Sequence, residues 1–147
     1  MDDLERMAAE RACEALMTSY THLVDSFGER ASVPELFTED GVWESDEARL
    51  EGREQMAAFF GKAVAHRTTR HVTSNASVRL TGPDTAEGLS YFTLYLHVGE
   101  KPRVPDLDDQ PIIVGQYTDR FVCGDDGWRF THRRADVGFV RRSALKK

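Results

Sequence analysis

The stretch RTTRHVTSNASVRL, residues 67–80, is typical of a long β-strand whose side chains alternate between two faces. Simple alternation puts His71 on the polar face of this strand. That face also contains Thr73, Asn75, Ser77 and Arg79, and the opposite face contains Val72, Ser74, Ala76, Val78 and Leu80. If the polar face meets water, His71 has no special role. If it lines a cavity, His71 is the best candidate in the chain for chemistry.

Helical patterns precede this strand. Apolar residues recur every three or four positions over residues 4–27, which predicts a long first helix with one buried stripe. A short second helix is expected at residues 33–37, where Pro34 fits the first turn. A third helix is expected at residues 53–65. Its predicted buried side consists of Met56, Phe59, Phe60 and Val64.

The rest of the chain reads as β-sheet. Strands are predicted at residues 42–45, 70–80, 86–98, 111–123 and 128–139. Because the long strands follow one another in sequence, we expect a curved antiparallel sheet. Helices first and strands after predict an α+β fold with the helices on one face of the sheet. The connection at residues 99–110 is longer than a hairpin needs, which is typical of lids and partner contacts.

Length and charge limit the possible classes of protein. The 147 residues fit a single domain at residues 1–140, followed by a basic tail at residues 141–147. The net charge of −6 argues against a nucleic-acid partner, because phosphate binding needs a concentrated positive surface. No apolar run is long enough to span a membrane, and the N-terminus lacks the order of a secretory signal. We therefore expect a cytoplasmic protein.

The sequence lacks the common motifs of cofactor-dependent and nucleophilic enzymes. It contains no GxSxG, HExxH, Walker or GxGxxG pattern. Cys13 and Cys123 are not in a CxxC pair and are not near a histidine at ligand spacing, so we expect buried thiols rather than a disulfide or a metal site. These absences favour acid–base chemistry without a cofactor or metal.

Asp25 falls in the predicted last turn of the first helix. There its charge meets the negative end of the helix dipole, at a cost of about 0.3–1 kcal/mol. Two interpretations fit this position. Asp25 is either an exposed acid in a fraying turn, or a carboxylate that orients a histidine and raises its basicity.

Five histidines are available for such a pair. His71 and His97 fall on strand faces that mix polar and aromatic side chains, whereas the other three have local explanations. Alternation puts His97 on one face with Tyr91, Thr93 and Tyr95, which suits the wall of a polar pocket. His22 can contact Asp25 along the helix surface, His66 can cap a helix end, and His132 shares the parity of Phe130 on its strand. A structural role for His71 and His97 stays open at this point.

Five stretches of the chain resemble the SnoaL-like branch of the nuclear transport factor 2-like superfamily. They are YTHLVDSF (20–27), LFTEDGVWE (36–44), LEGREQMAAFF (50–60), RTTRHVTSNASVRL (67–80) and VGQYTDRFVCGDDGWRFTHR (114–133). The resemblance spans residues 4–134. It implies a cone in which a bent antiparallel sheet surrounds a pocket closed by three helices, usually with a dimer formed through the outer sheet face.

The members that look most similar are lyases, namely scytalone dehydratase, the bile-acid dehydratases and hexachlorocyclohexane dehydrochlorinase. Asp25 and His71 match the catalytic dyad of the dehydrochlorinase, and Arg133 resembles an arginine at its pocket. Tyr20 matches a tyrosine of the bile-acid dehydratases. His97 looks like the second catalytic histidine of scytalone dehydratase.

Two further positions bear on the site. Trp43 looks like a pocket-lining tryptophan. Gly28 stands where scytalone dehydratase has its catalytic aspartate, so that enzyme's hydration machinery does not carry over whole. The candidate substrate-binding residues are Trp43, Phe59, Phe60, Asn75, Tyr91 and Tyr117.

The resemblance implies a cofactor-independent lyase or isomerase that acts on a cyclic, apolar small molecule. His71 would be the general base and Asp25 would orient it. Tyr20, His97 or Arg133 would donate hydrogen bonds to a leaving group or an enolate. The same fold also hosts non-catalytic binding or assembly proteins, polyketide cyclases and epoxide hydrolases, and these remain alternatives.

Overall fold

The computed structural model describes residues 1–26, 28–62, 67–100, 104–107 and 111–144 of the chain. Within these residues the elements follow in the order expected of an α+β fold. They are helix α1 (Asp3–Asp25), 3-10 helix η1 (Arg30–Leu36), strands β1 (Phe37–Glu44) and β2 (Arg49–Glu51), helix α2 (Gly52–Phe60), strands β3 (Arg67–Gly82), β4 (Thr85–Val98), β5 (Ile113–Gly124) and β6 (Gly127–Val140), and 3-10 helix η2 (Arg142–Ala144). The predicted fold class is confirmed.

Helix α1 begins with a capping box. The Asp2 side chain accepts a hydrogen bond from the Glu5 backbone N–H, and the Glu5 carboxylate accepts one from the Asp2 N–H. The helix buries one stripe of side chains, formed by Ala9, Cys13, Met17, Tyr20, Thr21 and Val24. It ends at Asp25, before the predicted end, and residue 27 lies outside the described residues. In the described part of the chain, no helix combines the length and hydropathy that crossing a bilayer requires.

The second and third helices differ from the prediction in length. η1 begins at Arg30 and is a 3-10 helix, so it starts earlier than expected. α2 ends at Phe60, and residues 63–66, including the predicted core residue Val64, lie outside the described residues. Met56 and Phe60 are buried as predicted, but the expectation for Phe59 is wrong, because this side chain is 38% exposed.

The six strands form one curved, open sheet in the order β2-β1-β6-β5-β4-β3. Strands β3 to β6 pair in antiparallel fashion, as predicted, but β1 pairs in parallel with β6, so the sheet is mixed. No hairpin turn joins β1 to β6, and sequence neighbourhood therefore does not set their relative direction. The helices pack against one face, here called the inner face. Its buried core includes Ala86, Phe92, Tyr117, Phe121 and Phe130.

A β-bulge at Asn75 interrupts the alternation of β3. Ser74 pairs with Tyr91 and Ser77 pairs with Leu89, so β3 has one residue more than β4 between these two pairs. Asn75 lies in this insertion with a φ of 52°, in the left-handed region that asparagine tolerates better than most residues. The strand therefore exchanges its inward and outward residues at this point.

The bulge decides which residues of β3 share a face with His71. His71 is opposite the buried Leu94, whereas Leu80, beyond the bulge, is opposite the buried Ala86. Leu94 and Ala86 lie on the same face of β4, so His71 and Leu80 both face the inner side. Simple alternation predicted opposite faces for His71 and Leu80. This prediction is wrong because the bulge shifts the alternation by one residue.

Both cysteines are free thiols. Cys13 is buried in α1, as expected, and burial raises the pKa of its thiol to about 12. Cys123 is only half-buried on β5, so the expectation that it is buried is wrong.

Candidate active site

Asp25 and His71 form a hydrogen-bonded pair between the last turn of α1 and the inner face of β3. The distance from His71 Nδ1 to Asp25 Oδ1 is 2.6 Å. The backbone N–H of His71 donates to Asp25 Oδ2 at 2.7 Å, and Thr69 Oγ1 donates to Oδ1 at 2.9 Å. The side chains of His71 and Asp25 are 12% and 4% exposed. Asp25 is thus held by groups from two residues on the same face of one strand.

These hydrogen bonds set the charge of Asp25 and the tautomer of His71. Burial raises the pKa of Asp25, but the hydrogen bonds from His71 and Thr69 outweigh it and hold this pKa below its usual value. An ionised carboxylate only accepts hydrogen bonds, so Nδ1 of His71 carries a proton. In the described part of the chain, no group hydrogen-bonds to Nε2. The lone pair of a neutral His71 is therefore on the free nitrogen.

Tyr20 and Trp43 form a second polar contact in the interior. The indole N–H of Trp43 donates to Tyr20 Oη at 2.9 Å. Burial raises the pKa of Tyr20, so the phenol keeps its proton at neutral pH. Trp43 itself stacks on Phe59 and meets Phe60 edge-on, with ring centroids 5.7 and 5.8 Å away. Because Tyr20 Oη accepts from Trp43, its own O–H is left to donate to a ligand.

Arg133 is fully buried on β6 and forms a bidentate ion pair with Asp119 of β5. Its Nε and Nη2 lie 2.9 and 3.1 Å from the two carboxylate oxygens. The guanidinium also lies over the rings of Tyr117 and Tyr20, at 3.8 and 4.4 Å from their centroids. Among the described residues, the buried Nη1 has no hydrogen-bond partner. Arg133 therefore keeps one unpaired donor nitrogen, Nη1, inside the fold.

Aromatic packing connects the Asp25–His71 pair with this arginine. The His71 ring lies 6.2 Å from the ring of Phe92, which stacks on Tyr117 at 4.3 Å. Two hydroxyls on the inner face, those of Thr73 and Ser90, are buried without a hydrogen-bond partner in the described part of the chain. Buried polar groups are nearly always satisfied, so unpaired donors and acceptors among aromatic rings are typical of a site for a polar ligand group.

A pocket of about 180 Å³ opens beside this interior, at the end of α1. Asp25, Thr69 and Phe60 form part of its wall, and His71 is not among its lining residues. Gly28 also lines it. Because glycine stands where scytalone dehydratase has its catalytic aspartate, this position leaves space at the pocket. The rest of the wall comprises Val24, Arg30, Ala31, Gly61, Lys62 and Arg67. The pocket therefore reaches the pair on its carboxylate side.

The family follows from the sequence match. The model of the SnoaL-like domain matches residues 5–134 of this chain. The chain belongs to the SnoaL-like domain family. No curated protein matches the sequence with statistical significance.

Several solved structures share the fold of this SnoaL-like domain. A putative scytalone dehydratase from Novosphingobium aromaticivorans is 22% identical, with a TM-score of 0.75 over 89% of this chain and 85% of that chain. Hexachlorocyclohexane dehydrochlorinase type 3 from Novosphingobium barchaimii is 18% identical, with a TM-score of 0.75 over 95% and 93%. An NTF2-like protein with a cystatin-like fold from N. aromaticivorans is 25% identical, with a TM-score of 0.73 over 100% and 99%. These similarities confirm the fold.

The SnoaL-like domain does not bring every predicted site residue together. His97 and Tyr91 lie on the outer face of the sheet, opposite Thr68 and Ser74, so their predicted place on the pocket wall is wrong. The inward-facing residues of β4 alternate with His97 and Tyr91 along the strand, as Leu94 opposite His71 shows. Asn75 is exposed in the bulge and does not face the interior. Tyr20, Trp43, Phe60, Tyr117 and Arg133 lie together in the interior, as described above.

The other histidines are explained by their surroundings. His22 is exposed on α1, and His66 lies outside the described residues. His132 does not share the face of Phe130, because a register shift in β6 places it opposite the exposed Arg120. There its Nε2 lies 2.6 Å from Glu44 Oε1. Among the described residues, no group of three or more His, Cys, Asp or Glu side chains could hold a metal ion.

Sequence reasoning missed three residues of this SnoaL-like site. Thr69 precedes His71 by two residues, so alternation already put both side chains on one face of the strand. Asp119 lies between Tyr117 and Phe121 at strand spacing, a pattern that buries a charge and therefore demands a partner. No local pattern marks Arg30, since only the folded chain brings η1 next to the start of β3.

Proposed function

We propose that this protein is a cofactor-independent lyase or isomerase that acts on a cyclic, largely apolar small molecule. The observation that carries the proposal is the Asp25–His71 pair, with its 2.6 Å contact at Nδ1 and an unbonded Nε2. A buried carboxylate that fixes the imidazole tautomer is the usual arrangement around a histidine base. No other histidine in the described part of the chain has a carboxylate on Nδ1 and a place on the inner face.

The proposed reaction begins with proton removal from carbon. His71 Nε2 takes the proton, and the electron pair of the broken C–H bond forms a carbon–carbon double bond or an enolate. The charge of Asp25 stabilises the imidazolium that results. In an elimination, the leaving group departs from the neighbouring carbon with its bonding electrons. In an isomerisation, the imidazolium returns the proton to a different carbon.

The leaving group or enolate oxygen needs hydrogen-bond donors. Tyr20 offers its phenol O–H, because its oxygen already accepts from Trp43, and Arg133 offers the unpaired Nη1–H. Both groups are buried, and in such surroundings a fixed donor stabilises developing negative charge more strongly than in water. Trp43, Phe60 and Tyr117 supply the apolar walls. Two structurally similar proteins are named for a dehydratase and a dehydrochlorinase, and the proposal extends that class of reaction to this chain.

The test is a screen of ring compounds that carry a hydroxyl or halide next to an activated C–H bond. Reactions in D₂O are followed by NMR, which detects both elimination products and exchange of the substrate proton. The wild type should catalyse at least one of these, and His71→Gln should not. His97→Gln is the matched control, because His97 lies on the outer face. A His71→Gln variant with unchanged turnover would overturn the assignment of the base.

The second candidate is a non-catalytic protein that binds a small molecule in the same place. The observation that favours it is the tight interior packing, in which Arg133 is already paired with Asp119 and covered by Tyr117. This candidate predicts that ring compounds bind without product formation or deuterium exchange. It also predicts that His71→Gln binds them as tightly as the wild type.

We also propose that a second copy of the chain covers the outer sheet face. Three neighbouring side chains on that face, those of Val72, Leu89 and Tyr91, are large, apolar and exposed. Contiguous exposed apolar surface is typical of interaction sites. Light scattering after size-exclusion chromatography should give a dimer for the wild type and a monomer for Tyr91→Glu. Leu4→Glu, at an exposed position on α1, should remain dimeric, and a monomeric wild type would contradict the proposal.

A further inference from the structure

Three cations surround the pocket beside Asp25. Arg30 comes from η1, Lys62 follows α2, and Arg67 begins β3, so three separate parts of the chain contribute positive charge to the pocket lining. Among the described residues, no carboxylate forms an ion pair with any of the three. The negative charge of Asp25, the acid among the lining residues, offsets part of this positive charge, but one carboxylate faces three cations. The positive charge of this pocket is therefore largely uncompensated.

The Arg30 side chain also has a hydrogen-bond donor without a partner among the described residues. Its Nε is buried and has no hydrogen-bond partner in the described part of the chain. Its guanidinium lies 6.0 Å from the centre of the Phe60 ring, which lines the pocket. Burial and the neighbouring charge of Arg67 hold the pKa of Arg30 below its usual value. Two like charges that face one pocket, one with an unpaired buried donor, are the arrangement that an anion stabilises.

We infer that this pocket binds an anionic group of the substrate, a carboxylate or a phosphate, between Arg30 and Arg67. Resting on the proposed function, the inference identifies the substrate as a ring compound with an acidic group rather than a neutral apolar one. A volume of about 180 Å³ lies below the range of about 300–1,000 Å³ for pockets that hold a whole ligand. The pocket therefore takes the charged end of the substrate, and the ring extends past Asp25 towards His71.

The pocket lies next to the proposed base. Thr69 lines the pocket, and His71 follows two residues later on the same inner face of β3, so a substrate anchored by its anion is held beside the Asp25–His71 pair. Guanidinium groups suit the anchor, because their planar donors match carboxylate and phosphate oxygens. Lys62 adds a positive charge to the pocket lining.

The test uses three ring compounds of similar shape: cyclohexanecarboxylate, cyclohexyl phosphate and cyclohexanecarboxamide. Isothermal titration calorimetry should show that at least one anion binds about tenfold or more tightly than the neutral amide. Added KCl should weaken the binding of the anion and leave the binding of the amide unchanged. The tighter of the two anions identifies a free carboxylic acid or a phosphate ester as the source of the charge. An amide that binds as tightly as both anions would overturn the inference.

Variants connect the affinity to the named residues. Arg30→Gln and Arg67→Gln should each lower the affinity for the tighter-binding anion about tenfold. Arg30→Lys should recover part of the lost affinity. Arg79→Gln is the matched control, since Arg79 lies on the same strand in an exposed ion pair with Glu87 and should bind like the wild type. Arg67 is exposed, so its variant tests the inference even if Arg30→Gln does not fold. Unchanged affinity in a folded Arg67→Gln would contradict the role of Arg67 and overturn the inference.

The His71→Gln variant separates this inference from the proposed function. It should bind the anion like the wild type while turnover is lost. Anion selectivity without turnover of any ring substrate would support the anion pocket and contradict the lyase. Turnover that depends on His71 without anion selectivity would support the lyase and contradict the anion pocket.

Discussion

Two histidine–carboxylate pairs of the same length lie in different parts of this molecule. His71 Nδ1 is 2.6 Å from Asp25 at the inner face, and His132 Nε2 is 2.6 Å from Glu44 on the outer side of β1 and β6. The inner side chains are 12% and 4% exposed, whereas the outer ones are 28% and 18% exposed. Distance alone therefore does not separate a candidate catalytic pair from a surface pair.

The surroundings of the two carboxylates make the difference. Glu44 also accepts from Arg49 at 2.8 Å and lies 3.8 Å from Arg134, so it belongs to a network of surface charges. Hydrogen bonds from His132 and Arg49 hold the pKa of Glu44 below its usual value. Asp25 instead accepts hydrogen bonds from a backbone N–H and a threonine hydroxyl, and it directs its negative charge at one imidazole. Burial and neutral partners, rather than the pair itself, therefore prepare a histidine for proton transfer.

The largest expected difference between the two pairs is in turnover. His71→Gln should lower the rate on an accepted substrate by about two to four orders of magnitude, because the general base is lost. His132→Gln should leave the rate within about twofold, since His132 lies on the outer side. The measurement is kcat and KM for both variants with the same substrate. Equal losses in the two variants would remove the distinction between the pairs.

The ion pair between Asp119 and Arg133 is fully buried. Asp119→Asn should lower the free energy of unfolding by about 3–5 kcal/mol, because it leaves the buried Arg133 without its counter-charge. Urea unfolding followed by circular dichroism measures the loss. Asp136→Asn is the control, since Asp136 pairs with Arg134 at the surface and should cost about 1 kcal/mol or less. Similar costs for both variants would show that burial does not determine the strength of these pairs.

The inner pair should also make stability depend on pH. Asp25→Asn should cost about 1–3 kcal/mol at pH 7, where the carboxylate accepts its three hydrogen bonds. The pKa of Asp25 is below its usual value of about 3.9 in the folded protein, so this stabilisation is complete above that pH and is lost as the pH falls through the folded pKa. Urea unfolding between pH 5 and pH 3 should show the gap between wild type and variant closing. A gap that is constant or grows towards low pH would contradict the predicted charge of Asp25.

The smallest expected effect concerns the stability of the outer pair. His132→Gln should change the free energy of unfolding by about 1 kcal/mol or less, and added salt should reduce the change further. The check is urea unfolding of wild type and variant at 50 mM and 500 mM NaCl. A loss as large as that of Asp25→Asn, and insensitive to salt, would mean that the two pairs are equivalent.

Much of the fold could be predicted from local patterns. The buried stripe of α1 and the four long strands follow from helical and alternating spacing, and the confirmed α+β class follows from their order. The parallel pairing of β1 with β6 could not be predicted this way, because no turn joins them. The end of α2 at Phe60 was also missed, since the apolar pattern continues beyond it.

The candidate site was predicted in part. The position of Asp25 and His71 came from the family resemblance, and the structure brings the two side chains into contact. Strand parity misplaced His97 and Tyr91, because alternation gives two faces but does not say which face meets the helices. Arg30 was missed altogether, as nothing near it in the sequence indicates that it meets Arg67.

Most of the helices and strands, the fold class and the residue types available for chemistry follow from the sequence alone, because these depend on interactions between near neighbours in the chain. The side of β3 on which His71 lies depends instead on contacts between distant parts of the chain. The bulge at Asn75 changes the alternation of the strand, and the packing of α1 selects the inner face. A bulge depends on the register between two strands, so the alternation within either strand alone does not reveal it.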